Sequence, residues 1–142
     1  MTLLHLQLFW GESQQTFLGL DSLPTLSPRQ KSELKSWCDG RRKILKHEVH
    51  TQPWAKISST GESTELMLKP NGKAYERDMF SSTRSEGKWH IDDGFLFILL
   101  KNDEQITEYR VIGNAISNIH SGSEYVNGRP HGLVKLMQVK PR

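Results

Sequence analysis

Gly87-Lys88-Trp89-His90-Ile91-Asp92-Asp93-Gly94-Phe95-Leu96-Phe97-Ile98-Leu99-Leu100 reads as a β-hairpin. Trp89 and Ile91 alternate with the polar Lys88 and His90, which gives a strand one apolar and one wet face. Asp92-Asp93-Gly94 supplies a turn, and six apolar residues follow without interruption, as in a buried strand.

The neighbouring text repeats this plan in both directions. Before the hairpin, Trp54 to Ser58, Thr64 to Lys69 and Lys73 to Phe80 read as strands. The hairpin contributes Gly87 to Ile91 and Phe95 to Lys101, and Gln105 to Ile112, Ala115 to His120 and Leu133 to Val139 follow it. The breaks between them are Ser59 to Gly61, Pro70-Asn71-Gly72, Ser81 to Glu86, Asn102-Asp103, Gly113-Asn114 and Ser121 to Gly132. Asn71-Gly72, Asp93-Gly94 and Gly113-Asn114 enter positive φ at little cost, so each suits a tight reversal between antiparallel neighbours. Breaks at roughly ten-residue intervals are the pattern of an all-β meander, sandwich or barrel. The expected fold is mainly β (α+β): an antiparallel meander of about eight strands, barrel-like or strongly curved, with one short N-terminal helix. Closure into a barrel removes the edges that an open sheet leaves exposed.

Residues 1–53 read differently, as an N-terminal strand and helix attached to the meander of 54–142. Leu3, Leu4, Leu6, Leu8, Phe9 and Trp10 suggest a short strand that stops at Gly11, and Thr16 to Leu20 suggests another within the connection that follows. Ser27-Pro28-Arg29-Gln30 is a helix start: Ser27 caps, Pro28 suits the first position, and Gln30 completes a capping box. Leu34, Trp37 and Cys38 form one narrow apolar stripe, and Asp39-Gly40 stops the helix. Arg41 to Thr51 fits either a helix or a strand, ending at Pro53.

The whole is the length of a single domain, 142 residues, and a chain of this size buries a core without metal or disulfide staples. The longest apolar run, Phe95 to Leu100, falls far short of the roughly 20 residues a membrane helix needs. Met1 to Leu6 lacks the basic start of a signal peptide, and the single Cys38 forms no disulfide framework, so the expected location is cytoplasmic. Cys38 itself reads as a small buried or half-buried filler rather than a reactive thiol.

Leu66-x-Leu68-x-x-Asn71-Gly72, Gly87-x-Trp89-x-Ile91-x-x-Gly94-x-Leu96-x-Ile98 and Tyr109-x-Val111-x-Gly113-Asn114 together resemble the strand-turn-strand text of bacterial lipocalin-like (calycin-type) small-barrel domains, over about Trp54 to Val139. The resemblance implies an up-and-down barrel holding a small apolar ligand. It implies no catalytic residues.

Catalytic signatures are missing from the sequence itself. There is no Gly-x-Ser-x-Gly elbow and no Gly-rich phosphate loop. His47 and His50 are three apart rather than the four of a helical zinc motif, so no metal and no cofactor are expected. The carboxylate pair Glu76 and Asp78 reads as the wet face of a strand whose other face carries Tyr75 and Arg77, and Asp92-Asp93 reads as part of a turn. Two constellations remain. Arg77 or Arg110, if turned into a barrel, would hold an acidic ligand head; with Tyr109 and His120 they form the candidate ligand-binding set. Arg29 to His50 carries seven cations (Arg29, Lys31, Lys35, Arg41, Arg42, Lys43, Lys46) against three anions (Glu33, Asp39, Glu48), within a net charge of +3. That makes Arg41, Arg42, Lys43 and Lys46 the candidates for a nucleic-acid contact, although a solvated helix face explains them as well.

The function read from these features is a non-enzymatic binding or interaction module, whose partner is a small apolar or amphipathic ligand or another protein. Two alternatives stand beside it: a small enzyme acting on an anionic substrate in the barrel mouth, and a weak single-stranded nucleic-acid binder through residues 29–50. A second copy of the chain would add at an edge strand, near the N-terminus or at Leu133 to Val139.

Overall fold

Period-two alternation of buried and exposed side chains runs through eight successive strands, and it closes on itself. The structure, a computed structural model, describes residues 2–16, 18–80 and 83–139. Its strands are β1 (Arg41–Arg42), β2 (Trp54–Ser58), β3 (Ser63–Leu68), β4 (Lys73–Asp78), β5 (Arg84–Asp92), β6 (Phe95–Lys101), β7 (Ile106–Asn114), β8 (Ile119–Val126) and β9 (Arg129–Gln138). From β2 to β9 each strand pairs antiparallel with the next, and β9 returns to pair with β2, with Trp54 opposite Gln138 and Ser58 opposite Val134. The result is an eight-stranded up-and-down barrel. β1 is a ninth, accessory strand that pairs with the end of β7, Arg42 opposite Gly113.

The barrel therefore has no free edge at Leu133 to Val139, since β9 is bonded to both β8 and β2. Among the described residues, the two-residue β1 keeps the one unpaired flank.

Inside, one end is apolar. Trp54, Leu66, Leu68, Ala74, Trp89, Leu96, Ile98, Val111, Val134 and Leu136 pack into one cluster, and Ile44 and Val49 close it from below. Val49 ends α3 (Lys46–Val49), whose carbonyl accepts the Trp54 Nε1–H bond at 2.9 Å, so the short helix is fastened to the core it covers. Gly87 is needed here because a Cβ at that position would lie 1.8 Å from the Leu99 carbonyl oxygen.

Outside, α1 (Leu3–Gln14) and α2 (Pro28–Asp39) cover part of the wall. Leu8, with Leu4 and Trp37, buries Phe95 and Ile112 on the outer face of β6 and β7. This explains the unbroken apolar run of β6: Leu96, Ile98 and Leu100 point into the barrel while Phe95 and Phe97 meet the helices. The α2 boundaries follow the expected capping box, with Ser27 Oγ accepting from the Gln30 amide at 3.2 Å.

Several expectations are corrected. Leu3 to Trp10 is helix, not strand. The segment contains no β-branched residue, its Leu4 and Leu8 recur at helical spacing onto one barrel face, and Gln7 Nε2 donates to the carbonyls of Gly19, Leu20 and Ser22, pinning the connection that follows. No strand forms at Thr16 or Leu18 to Leu20, and Phe17 lies outside the described residues. Gly113-Asn114 is not a turn but the end of β7, where a Cβ on Gly113 would come within 2.8 Å of the Arg42 carbonyl. Ala115 to Asn118 is the bend, and β8 runs on through Ser121-Gly122-Ser123, which the sequence reading placed in a loop. Small polar residues serve there because Gly122 lets the β7 backbone approach and Ser121 is buried. The actual reversal is Asn127-Gly128, both at positive φ. Ser81 and Ser82, part of another expected break, lie outside the described residues.

Candidate functional site

The other end of the barrel is polar and open. Lys56 and Ser58 on β2, Thr64 on β3, Glu76 and Asp78 on β4, Ser85 on β5, Thr107 and Tyr109 on β7 and Glu124 on β8 continue the inward phase that Trp54, Leu66 and Ala74 begin. All of them but Ser58 line a cavity of about 130 Å³ at a mouth rimmed by Glu62, Asn102 and Gln105. That space admits a few waters or a ligand of a few heavy atoms, well below the ~300–1,000 Å³ of a drug-sized site. The apolar chamber of a ligand-carrying barrel is taken up by the side chains of the closed end.

Lys56 is the centre of the mouth. Its side chain is 2% exposed, and its ammonium donates to Tyr109 Oη at 2.7 Å and reaches Glu76 Oε2 at 3.2 Å. Tyr109 Oη in turn donates to Glu76 Oε2 at 2.7 Å, and Thr64 Oγ1 donates to the same oxygen at 2.9 Å. One carboxylate oxygen thus collects an ammonium and two hydroxyls, which is how a buried ion pair offsets the loss of its hydration. Burial pushes the Tyr109 phenol far above its usual range, with the nearby Glu76 and Glu124 charges adding to the effect, so Tyr109 is a proton donor in this network and not a phenolate.

Glu124 stands opposite Tyr109 across the β7–β8 ladder, at a register irregularity in the β8–β9 pairing between Glu124 and Tyr125. The residue left without a partner in the β8–β9 ladder is His131 of β9, while Glu124 keeps its regular place opposite Tyr109. Glu124 is 6% exposed, and its Oε1 has no donor among the described residues. Burial raises its carboxyl above the usual range; Glu76 and Glu62 push the same way, while Lys56 and His131 oppose.

Of the residues expected to bind a ligand, the mouth contains Tyr109 alone. Arg77 lies on the outer wall, half-exposed and 3.6 Å from Glu65 of the adjacent strand. Arg110 also faces outward, paired with Glu108 and set over the rings of Phe97 and Tyr125. His120 is fully buried at the closed end. Its Nδ1 accepts from the Asn114 amide at 3.0 Å, which leaves Nε2–H to donate to Gln138 Oε1 at 2.6 Å. Burial lowers its pKa, in keeping with a neutral ring that seals the barrel beside Trp54. The four residues do not share one pocket.

Lys56, Thr64 and Glu124 are not among the residues expected from sequence, and Glu76 lies inside the barrel rather than on the expected wet face. A carboxylate pair alternating with Tyr75 and Arg77 fits a solvated strand face, and nothing local to Glu76 marks its side as the inner one. Lys69 pairs with Lys73 around the three-residue loop Pro70-Asn71-Gly72, with Gly72 at φ 85°. That loop brings Ala74 and Glu76 inward. The available signal was the phase of β3, where Thr64, Leu66 and Leu68 mark the inward side.

The basic segment is largely satisfied internally. Arg41 bonds Asn114, approaches Glu12 at 3.6 Å and lies over the Trp37 ring; Arg42 pairs with Glu48 at 2.9 Å and Lys43 with Asp93 at 3.2 Å. Lys46 is exposed. A larger open trough, about 510 Å³, lies against β3 to β6, contains Arg77 and shares Glu76, Ser85 and Asn102 with the mouth, yet no described side chain with an unpartnered buried polar atom lines it. No described helix is long and apolar enough to cross a membrane, and no cluster of three or more metal-ligating side chains occurs among the described residues. A comparison with protein-family models, with curated proteins and with solved structures found no match to this chain.

Proposed function

We propose that the chain is a non-enzymatic binding module, a barrel of lipocalin-like architecture whose ligand site is the polar mouth around Lys56, Glu76, Tyr109 and Glu124. The ligand is small and hydrogen-bonding, and at most its tail is apolar, because the space is narrow and its walls are hydroxyls, amides and carboxyls. The observation that carries the reading is Glu124: a carboxyl buried at the mouth with one oxygen unpartnered, in a fold where every neighbouring polar group of the Lys56 network is met. The single unpaired Cys38 suits a cytoplasmic, reducing setting.

A fragment titration followed by backbone-amide NMR tests the reading. The set holds small neutral amides, polyols, cations and anions. Binding places the shift changes on amides of Lys56, Thr64, Glu76, Tyr109 and Glu124, and Tyr109→Phe weakens it about tenfold. Shift changes confined to the outer trough around Met67, Tyr75 and Arg77 would overturn the reading in favour of that face.

A further inference from the structure

The class of ligand follows from an imbalance in the mouth, and rests on the mouth being the ligand site. Glu76 Oε2 receives Lys56, Tyr109 and Thr64, so its charge is met from within the protein. Glu124 Oε1 receives nothing among the described residues. Four carboxyls line or rim the cavity, Glu62, Glu76, Asp78 and Glu124, against the single ammonium of Lys56, which is already engaged by Tyr109 and Glu76. An anionic ligand would be laid against an excess of negative charge with its one cation occupied. A neutral ligand would supply a donor and leave the charge unanswered.

We propose that the mouth takes a small organic cation, an ammonium or guanidinium head that pairs with the Glu124 carboxylate in the cavity that Glu62 and Asp78 also line. Charge-assisted N–H to carboxylate bonds in a water-poor site are among the stronger polar contacts available. The two acids do different work: the Glu76 carboxylate is held by the protein's own lysine and hydroxyls, whereas Glu124 Oε1 meets no donor among the described residues.

The groups facing Glu124 are Lys56 from β2, Glu62 from the β2–β3 turn, Thr64 from β3, Glu76 and Asp78 from β4, Thr107 and Tyr109 from β7, and His131 from β9. Burial keeps the empty-site carboxyl protonated to higher pH than usual, helped by Glu62 and Glu76 and opposed by Lys56 and His131. A bound cation favours the ionised form. Binding therefore expels a proton below the empty-site pKa, and affinity rises with pH until that pKa is passed.

The 142-residue chain is titrated with methylguanidinium, with methylurea as its neutral counterpart and with acetate, at constant ionic strength, and backbone amides report the site. The expected result is that methylguanidinium binds at the mouth about tenfold more tightly than methylurea, that acetate does not compete, and that affinity for the cation climbs as pH rises above the ordinary carboxyl value of 4.5. Glu124→Gln lowers cation affinity about tenfold and leaves methylurea within about twofold, whereas Glu65→Gln on the outer wall changes neither. The wild-type pH profile interrogates the same carboxyl with no substitution at all. Methylurea or acetate binding the mouth as tightly as the cation overturns the cationic class while leaving the mouth a ligand site. Unchanged cation affinity in Glu124→Gln, or a flat pH profile, overturns the role of Glu124. If no probe moves a mouth amide, the proposed function fails along with the inference.

Discussion

Lys56 has nearly the whole of its side chain inside the barrel, and its stability depends on Glu76 being there to meet it. Replacing Lys56 with Met strands the Glu76 carboxylate and is expected to cost about 3–5 kcal/mol, with most of that recovered in the double variant Lys56→Met, Glu76→Leu. Urea unfolding of the two variants and the wild type decides this; equal stability of Lys56→Met and wild type would show that the pair is not formed. Glu124 carries the opposite sign. Its folded pKa lies above the ordinary value of 4.5, so between 4.5 and the folded value the native state keeps a proton that the unfolded chain has lost, and stability falls as pH rises through that window. Glu124→Gln removes the fall: the variant gains on the wild type in Tm as pH goes from about 4 to about 7.5. Glu12 behaves in the ordinary way. Burial alone would raise its pKa, but hydrogen bonds from Ser121 and Trp37 and the charge of Lys135 outweigh it, so its contribution is present above 4.5 and lost on acidification.

At the level of strands and helices, glycines separate two kinds of constraint. Gly87→Ala would drive a methyl into the Leu99 carbonyl across the β5–β6 ladder, 1.8 Å from the oxygen, and is expected to unfold the barrel or cost more than about 3 kcal/mol. Gly61→Ala, at φ 90° with open space around it, pays for backbone conformation alone, about 1–2 kcal/mol. Thermal unfolding of both, side by side, checks the ordering. The same elements show what was readable in advance. Strand number, the α2 cap and the Asp93-Gly94 turn follow from alternation, Ser27-Pro28 and positive φ, all of which are local. The α1 helix was hidden because six apolar residues in eight positions satisfy either period, and its partners, Phe95, Ile112 and the 19–22 carbonyls, are distant in sequence. The candidate site was hidden by composition: Glu76, alternating with Tyr75 and Arg77, fits a solvated face as well as an inner one, and its partners Lys56, Thr64 and Tyr109 lie on other strands.

Over the whole molecule, the barrel divides its labour along its axis. Trp54, Trp89 and the leucines fill one end, sealed by α3 and by His120, and the polar network occupies the other. Hydrogen exchange is expected to follow that gradient, with amides of Trp54, Leu66 and Leu136 slowest and those of the 59–62 and 102–105 turns fastest; uniform protection would contradict a plugged end and an open one. Closure of the wall carries a kinetic consequence as well. Every barrel strand is bonded on both flanks, so a ligand reaches Lys56 along the axis and leaves the same way. Crowding the doorway with a larger side chain at Ser85 or Gln105, both at the entrance and neither bonded to the Lys56 cluster, would slow arrival and departure together, lengthening residence time while the equilibrium affinity stays where Glu124 sets it.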